Sequence, residues 1–170
     1  AGMSSLAVIM KQLGESVQGS DLDKHFFTEE ELIKNNIEFF PYDENNIKDN
    51  LIIIKGLSIT DEHPELKRAK ELNLEIINYN EMVGILTKKF KTICISGCHG
   101  KTTTTAMTSH ILNKIKGINY LIGDGTGYAN PQNEYFVLES CEYKRHFLSY
   151  TPYYSVILNI DLDHVDYFKD

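Results

Sequence analysis

The chain has 170 residues, of which 42% are hydrophobic and 24% charged, a composition typical of a globular protein with one or two domains. Its formal net charge of −7 argues against nonspecific binding to nucleic acid or to an anionic membrane surface. There is no secretion signal, no apolar run near the roughly 18 residues of a spanning helix, and no C-x-x-C pair among three cysteines, so we expect a cytoplasmic protein.

The first half of the sequence alternates helices and strands. The predicted elements are a helix with an apolar stripe over residues 6–13, a short strand at 16–21, a helix at 28–36, a strand at 51–56, a helix at 63–73, a strand at 74–78 and a helix at 80–90. The continuous apolar run "LIIIKG" at 51–56 is typical of a parallel strand covered on both faces. This alternation predicts an open parallel sheet with right-handed crossovers.

The second half starts again after "KKFK" at 88–91, the predicted domain boundary. Its elements are a strand at 92–96, a glycine turn, a helix to about residue 115, a strand running into a glycine-rich loop at 119–131, a strand at 135–140, a polar stretch at 141–148 and a strand at 153–161. A helix opens the chain directly at "AG", and a polar loop follows the last strand directly. We therefore expect these residues to be a piece of a longer protein.

The stretch "SGCHGKTTTTAM" at 96–107 places glycines on a strand-to-helix turn, with Lys101 and Thr102 at the helix start. Backbone N–H groups on such a turn and the helix dipole suit a polyphosphate, which Lys101 would contact while Thr102 ligates Mg²⁺. The usual G-x-x-x-x-G-K-[ST] spacing requires a glycine where this chain has Ile95. An ordinary turn with a chance Lys-Thr pair is the alternative.

Glu139 and His164 follow the apolar runs "YFVL" and "SVILNI", and each is expected at the C-terminal end of a strand. Ligands of open α/β sheets bind outside those ends, the edge that also carries the glycine turn. A carboxylate and an imidazole near a nucleotide suggest ligation of a divalent metal. The alternatives are a solvated strand end for Glu139 and a capping or loop role for His164.

Three weaker signals remain open. Gly2 and Asp21 have the spacing of a glycine turn and a ribose-binding acid, but only one glycine of that pattern is present, and an N-cap or turn role for Asp21 is equally compatible. The loop "GDGTG" at 123–127 is either a second backbone cradle or a tight turn. The charged stretch with Glu142, Lys144, Arg145 and His146 is either a solvated loop or a site for an anionic substrate.

These residues resemble a known family. "GCHGKTTTTAM" is similar to the G-T-x-G-K-T-T-T ATP loop of the Mur ligases, which lacks the early glycine of other phosphate loops. "AGMSSLAVIMKQLGESVQGSDL" resembles the start of such a ligase, and "ESCEYKRHFLSYTP" and "NIDLDHVDYF" resemble its central motifs. The resemblance covers nearly the whole chain, with the motifs in the right order.

The resemblance implies an α/β fold: a Rossmann-like UDP-sugar-binding domain at residues 1–90 without its first strand, followed at 91–170 by the start of a P-loop ATPase domain with a mostly parallel sheet. The implied UDP-sugar-binding residues are Gly2, Met3, Ser4, Ser20 and Asp21. The implied ATP-binding residues are Gly97, Cys98, His99, Gly100, Lys101, Thr102 and Thr103, where only the backbone of Cys98 is expected to matter. The implied metal ligands are Thr102, Glu139 and His164, and Lys101, Glu139 and His164 are the implied catalytic residues.

The resemblance also implies an activity, that of an ATP- and Mg²⁺-dependent amide ligase of peptidoglycan precursor synthesis. ATP would phosphorylate the carboxylate of UDP-N-acetylmuramate to an acyl phosphate, and the amine of L-alanine would attack it. Two alternatives stay open. One is the related ligase that attaches a recycled tripeptide to the same UDP-sugar, and the other is a nucleotide-binding module without activity.

Overall fold

The computed structural model describes residues 2–24, 26–161 and 167, with only the backbone at 144. In chain order its elements are α1 (Gly2–Gln12), β1 (Gln18–Asp21), α2 (Glu29–Lys34), β2 (Glu38–Pro41), a 3₁₀ helix (Glu44–Asn46), β3 (Ile53–Lys55), α3 (Pro64–Glu71), β4 (Ile76–Asn78), α4 (Tyr79–Lys89), β5 (Lys91–Ser96), α5 (Lys101–Lys116), β6 (Asn119–Leu121), β7 (Gly127–Tyr128), β8 (Tyr135–Glu139), a second 3₁₀ helix (Tyr143–Ser149) and β9 (Tyr154–Ile157). Within these residues, none of the helices combines the length and the apolar character that crossing a membrane requires.

The strands of the first half form two parallel pairs. Strand β1 pairs with β2, and β3 pairs with β4, but no pairing joins the two pairs in the part of the chain that the structure describes. The expected single open sheet is therefore divided here. A cavity of about 1530 Å³ lies against both β1 and β3. The expectation that residues 51–56 are covered on both faces is wrong, because Ile52 is 60% exposed and β3 is half-buried beside this cavity.

The second half forms one five-stranded sheet in the order β7-β6-β8-β5-β9. All neighbouring strands are parallel except β6 and β7, which are antiparallel. The chain is thus an α/β protein with a mostly parallel sheet, as the sequence predicts. The parallel arrangement brings the C-terminal ends of β5, β6, β8 and β9 to one edge, where the candidate site lies.

Two apolar clusters cover the two faces of this sheet. Leu6 and Ile9 of α1 and Val83 of α4 pack with Phe136 and Leu138 of β8 on one face. On the other face, the buried cluster consists of Ile95, Ile118 and Val137, with Leu112 of α5 packed against it. Successive strand residues point to opposite faces, so helices on both sides bury the sheet.

Helices α1 and α4 come from the first half of the chain but pack on the sheet of the second half. Gly127 lets β7 approach α1 closely, since an added Cβ would lie 2.6 Å from the Ser5 carbonyl oxygen. The Gln12 side chain accepts a hydrogen bond from the Ala129 amide at 2.7 Å. The two halves therefore share a core, and the boundary near residue 90 stays a prediction.

Candidate functional site

The turn between β5 and α5 requires glycine at two positions. Gly97 has φ 138° and Gly100 has φ 83°, conformations that L side chains rarely adopt. An added Cβ at Gly97 would also lie 3.1 Å from the backbone nitrogen of Asn159. Gly100 is the N-cap residue of α5, so the loop leads directly into the first helical turn at Lys101.

The first turn of α5 presents backbone donors. Thr104 N–H donates to the Gly100 carbonyl at 2.9 Å, but within the described residues the amides of residues 100–103 have no acceptor. Unpaired N–H groups and the positive end of the helix dipole make a helix N-terminus an anion-binding site. The loop therefore fits a phosphate group.

The segment after β9 fixes the loop from one side. The Asn159 side chain accepts a hydrogen bond from His99 N–H and donates one to the His99 carbonyl, both at 2.9 Å. The Cys98 thiol donates to the Asp161 carbonyl at 3.0 Å and accepts from the Asp161 amide at 3.2 Å. The side chain of Cys98 thus contacts the segment after β9, while the expectation that only its backbone matters for ATP binding stays a prediction. The sequence gives no local signal for these contacts, which join residues about sixty positions apart.

Thr102 and Glu139 meet at the C-terminal edge of the sheet. The Thr102 hydroxyl donates to Glu139 Oε1 at 3.1 Å, and Gly123 N–H donates to Glu139 Oε2 at 2.7 Å. An added Cβ at Gly123 would lie 2.5 Å from the carboxylate oxygens, so any side chain at this position would displace the Glu139 carboxylate. His164, the third expected metal ligand, lies outside the described residues.

The donor set fits Mg²⁺. Among the described residues no group of three His, Cys, Asp or Glu side chains is arranged to hold a metal ion. A hydroxyl and a carboxylate are nevertheless suitable hard ligands, because Mg²⁺ keeps several waters and shares substrate phosphates instead of filling an all-protein cage. The roles of Thr102, Glu139 and His164 as ligands stay predictions.

The "GDGTG" loop is a tight turn between β6 and β7. Its backbone bonds run from Ile122 N–H to the Thr126 carbonyl at 2.9 Å and from Gly125 N–H to the Ile122 carbonyl at 3.2 Å. The Thr126 amide donates to the Asp124 side chain at 2.9 Å. The geometry therefore favours a tight turn over a second backbone cradle. The Gly123 amide of this turn orients Glu139.

Lys101 folds back over the loop. Its ammonium group donates to the carbonyl oxygens of Gly97 at 2.6 Å and Cys98 at 3.3 Å, and to Glu142 Oε1 at 3.0 Å. Glu142 precedes the 3₁₀ helix Tyr143–Ser149, which occupies most of the charged stretch and packs against α4. Arg145 in this helix is exposed, with φ 60°.

All five residues expected to bind a UDP-sugar line the 1530 Å³ cavity: Gly2, Met3, Ser4, Ser20 and Asp21. The Ser20 hydroxyl donates to Glu65 Oε2 at 2.6 Å. One carboxylate oxygen of Asp21 accepts from Leu22 N–H at 2.7 Å and from the Tyr42 hydroxyl at 3.2 Å. The structure thus gathers these residues around one cavity, although Ser20 and Asp21 also have partners within the protein.

Three further residues of this cavity are absent from the sequence-based set. The buried carboxylate of Glu65 accepts hydrogen bonds from Ser20, from the Asp43 amide at 3.2 Å and from the Asn46 side chain at 3.0 Å. Tyr42 and His63 pack edge to face with ring centroids 4.5 Å apart. Burial and the nearby charge of Asp21 raise the pKa of Tyr42 to about 12. Glu65 is an acidic residue in the first turn of α3, so from sequence it looks like ordinary helix capping.

Comparison with known proteins gives two family matches that follow one another along the chain. Residues 1–91 match the model described as "Mur ligase family, catalytic domain". Residues 95–170 match the model described as "Mur ligase middle domain".

The fold is similar to those of three solved structures. The UDP-N-acetylmuramate:L-alanyl-gamma-D-glutamyl-meso-diaminopimelate ligase from Neisseria meningitides has a TM-score of 0.83 at 23% identity, covering 99% of this chain and 60% of that one. A murein peptide ligase from Psychrobacter arcticus has a TM-score of 0.80 at 22% identity, and the match covers 97% of this chain and 42% of that one. The UDP-N-acetylmuramate-alanine ligase MurC from Thermotoga maritima has a TM-score of 0.81 at 28% identity, and the match covers 97% of this chain and 40% of that one.

This chain thus spans 40 to 60% of the length of these solved chains. Its family matches extend over almost all of its own residues, and the phosphate-type loop lies within the second match. The chain belongs to the Mur ligase family.

Proposed function

We propose that this chain forms the UDP-sugar-binding and ATP-binding parts of an ATP-dependent ligase that joins L-alanine to UDP-N-acetylmuramate in cytoplasmic peptidoglycan precursor synthesis. One observation carries the proposal. The loop with Lys101 lies beside the hydrogen-bonded pair of Thr102 and Glu139 at one sheet edge, in a chain of this family. This edge offers both hydrogen-bond donors for a phosphate group and hard oxygen ligands for a metal ion.

The residues of the loop have separate tasks in this proposal. The amides of residues 100–103 bind the ATP phosphates, and Lys101 neutralises the charge that develops on the transferring γ-phosphoryl group. Thr102 and Glu139, with His164, would hold Mg²⁺, which supplies positive charge to the phosphate oxygens when bound. Gly123 orients Glu139 through its amide.

The proposed reaction has two steps. A carboxylate oxygen of the muramoyl group bonds to the γ-phosphorus, and the bond to ADP breaks. The amine of L-alanine then bonds to the acyl carbon, phosphate leaves with its electron pair, and the amine proton passes to solvent. The protein contributes mainly positioning and charge neutralisation.

The 1530 Å³ cavity is the proposed UDP-sugar site, with Gly2, Met3, Ser4, Ser20 and Asp21 as its binding residues. Residues 1–90 then form the UDP-sugar-binding domain and residues 91–170 begin the ATP-binding domain. Tyr42 adds an aromatic surface next to Asp21, which suits a nucleoside.

The second candidate is a ligase that attaches a tripeptide to the same UDP-sugar. One similar solved chain is named as a ligase for L-alanyl-gamma-D-glutamyl-meso-diaminopimelate and another as a murein peptide ligase, but at 23 and 22% identity their similarity supports the fold alone. A nucleotide-binding module without activity is the third candidate, for these residues in isolation.

The test is an assay of the full-length protein with MgATP and UDP-N-acetylmuramate. ADP release and product mass are measured with L-alanine, with the tripeptide L-alanyl-γ-D-glutamyl-meso-diaminopimelate, and without an amine. We expect a product whose mass corresponds to addition of one alanine. A product with the tripeptide alone would support the second candidate, and ADP release that does not depend on UDP-N-acetylmuramate would contradict both ligase assignments.

A further inference from the structure

The ion pair between Lys101 and Glu142 differs from the other ion pairs of the described residues in its burial. Its side chains are only 14% and 20% exposed, at an Nζ to Oε1 distance of 3.0 Å. Each of the other pairs leaves at least 41% of both side chains exposed. Exposed pairs contribute little, whereas a pair removed from water interacts more strongly.

The three contacts of Lys101 match the capacity of its ammonium group. An ammonium group has three protons to donate. In this structure the acceptors are the carbonyl oxygens of Gly97 and Cys98 and the carboxylate of Glu142. A phosphate oxygen can therefore bond to Lys101 only by replacing one of these acceptors.

Glu142 is the acceptor that a phosphate replaces most readily. The two carbonyls belong to the loop that carries Lys101 and stay close to it, whereas Glu142 lies beyond the end of β8, 41 positions further along the chain. A triphosphate is also strongly negative, so it repels the Glu142 carboxylate while attracting the ammonium group.

We propose that Glu142 is a counterion of Lys101 in the nucleotide-free site, and that a phosphate group of the nucleotide displaces it. The proposal rests on the proposed function, since it takes residues 97–103 as the ATP-binding loop. Glu142 then acts through Lys101 as a positioning residue. Because the ion pair stabilises only the nucleotide-free state, it lowers the affinity for ATP.

The proposal predicts the direction in which the affinity for MgATP changes when the charge of Glu142 is removed. Glu142→Gln keeps the size of the side chain and removes its charge, so binding of ATP no longer has to break an ion pair. We expect the dissociation constant of MgATP to fall about fivefold, as for a coupling near 1 kcal/mol. A Glu142 that stays bound to Lys101 and orients it toward the phosphates would give the opposite result, weaker binding in the variant.

Calorimetric titration of the full-length protein with the nonhydrolysable analogue AMP-PNP and Mg²⁺ measures this change in dissociation constant. The matched control is Glu134→Gln, which removes the same charge from exposed pairs with Lys91 and Lys116 and is expected to leave nucleotide affinity unchanged. Glu142→Asp, with its shorter side chain, is expected to fall between wild type and Glu142→Gln. Thermal unfolding of each variant shows whether it is folded.

A second readout needs no nucleotide. Reductive methylation of the nucleotide-free protein, resolved by residue with mass spectrometry, reports how often each lysine is released from its partners. We expect Lys101 to react about fivefold faster in Glu142→Gln, by the same coupling, and at the wild-type rate in Glu134→Gln.

The outcomes separate the two proposals. If wild type binds the nucleotide but Glu142→Gln binds it equally or more weakly, the counterion role is overturned and the ATP site stands. Unchanged Lys101 reactivity in Glu142→Gln also overturns the counterion role. If wild type does not bind MgAMP-PNP, the proposed ATP site fails and the counterion proposal fails with it.

Discussion

At the scale of single residues, the Lys101 ammonium group lies against the proposed phosphate-binding loop, with its Nζ 2.6 Å from the Gly97 carbonyl oxygen. We predict that Lys101→Ala lowers the turnover of the full-length protein in the proposed reaction at least about 100-fold, the loss typical of removing one preorganised stabiliser of transition-state charge. Steady-state kinetics and circular dichroism of the folded variant check this.

The matched control is Lys116→Ala at the other end of α5, where the lysine is exposed and pairs with Glu134 at 3.3 Å. Its turnover is expected to equal that of wild type. A folded Lys101→Ala variant with more than half of wild-type turnover would contradict the role of Lys101.

Gly123 provides a test of Glu139 that leaves the carboxylate chemically intact. In Gly123→Ala the new methyl group would lie 2.5 Å from the Glu139 oxygens, so the carboxylate has to move away from Thr102. We predict that the Mg²⁺ concentration needed for half-maximal turnover rises about tenfold, as for loss of an orienting contact around a metal ligand.

Gly19→Ala serves as the control for this substitution, because its added carbon would make only an ordinary contact with Phe39 at 3.8 Å. Turnover is measured as a function of Mg²⁺ for wild type and both variants. An unchanged Mg²⁺ requirement in Gly123→Ala would show that the position of Glu139 does not govern metal binding.

At the scale of elements, α4 and the 3₁₀ helix Tyr143–Ser149 approach closely at Gly84. A Cβ at Gly84 would collide with the Ser149 carbonyl oxygen. Because this is a backbone atom, it cannot move aside by rotation of a side chain. Alanine favours a helix over glycine by about 1 kcal/mol, but overpacking costs about 1–3 kcal/mol. We predict that Gly84→Ala lowers the free energy of unfolding by about 1 kcal/mol, measured by urea denaturation.

Thr87 connects α4 to Thr151, two residues beyond the end of this 3₁₀ helix, and gives an independent test. Its hydroxyl donates to the Gly84 carbonyl at 2.7 Å and accepts from the Thr151 amide at 2.9 Å. The isosteric Thr87→Val leaves the Thr151 amide without this acceptor, and we expect a loss of about 1–3 kcal/mol. Equal stability of wild type and both variants would contradict this packing of α4.

The elements also show how far the sequence predicts the fold. Periodicity and turn residues predict the helices and most strands, because these signals are local. Strand β2 is not predicted, since "EFFP" is short and ends in a proline. No local pattern predicts that the strands of the first half form two separate parallel pairs, because strand pairing depends on contacts between residues that are distant in sequence.

The same distinction applies to the candidate site. The glycine turn and Lys101 are adjacent in sequence, so a motif identifies them, and strand ends in a parallel sheet bring Glu139 to Thr102. The contacts of Asn159 with His99 and of Glu142 with Lys101 join residues 60 and 41 positions apart. They follow from the packing of the whole chain, so no local pattern predicts them.

At the scale of the whole molecule, the packing of the two halves keeps tyrosine hydroxyls out of water. Burial, with smaller contributions from the charges of Cys141 and Glu139, raises the pKa of Tyr79 to about 12. An unfolded tyrosine has a pKa of about 10, so the folded state binds this proton more tightly. The stability that Tyr79 contributes is therefore complete below pH 10 and is lost as the pH rises toward 12.

We predict that the free energy of unfolding falls between pH 10 and pH 12, and that Tyr79→Phe reduces the slope by about 1.4 kcal/mol per pH unit. Urea denaturation at several pH values measures both. Identical slopes for wild type and Tyr79→Phe would contradict the burial of this hydroxyl in solution.

The central claim is that the loop at 97–103 and Glu139 form one MgATP site. The most direct measurement is a crystal structure of the full-length protein with AMP-PNP and Mn²⁺ in place of Mg²⁺, since Mn²⁺ gives an anomalous signal. We predict phosphates on the amides of residues 100–103 and an anomalous peak within about 2.5 Å of both the Thr102 hydroxyl and a Glu139 oxygen. Nucleotide bound elsewhere, or a peak away from both side chains, would contradict the claim.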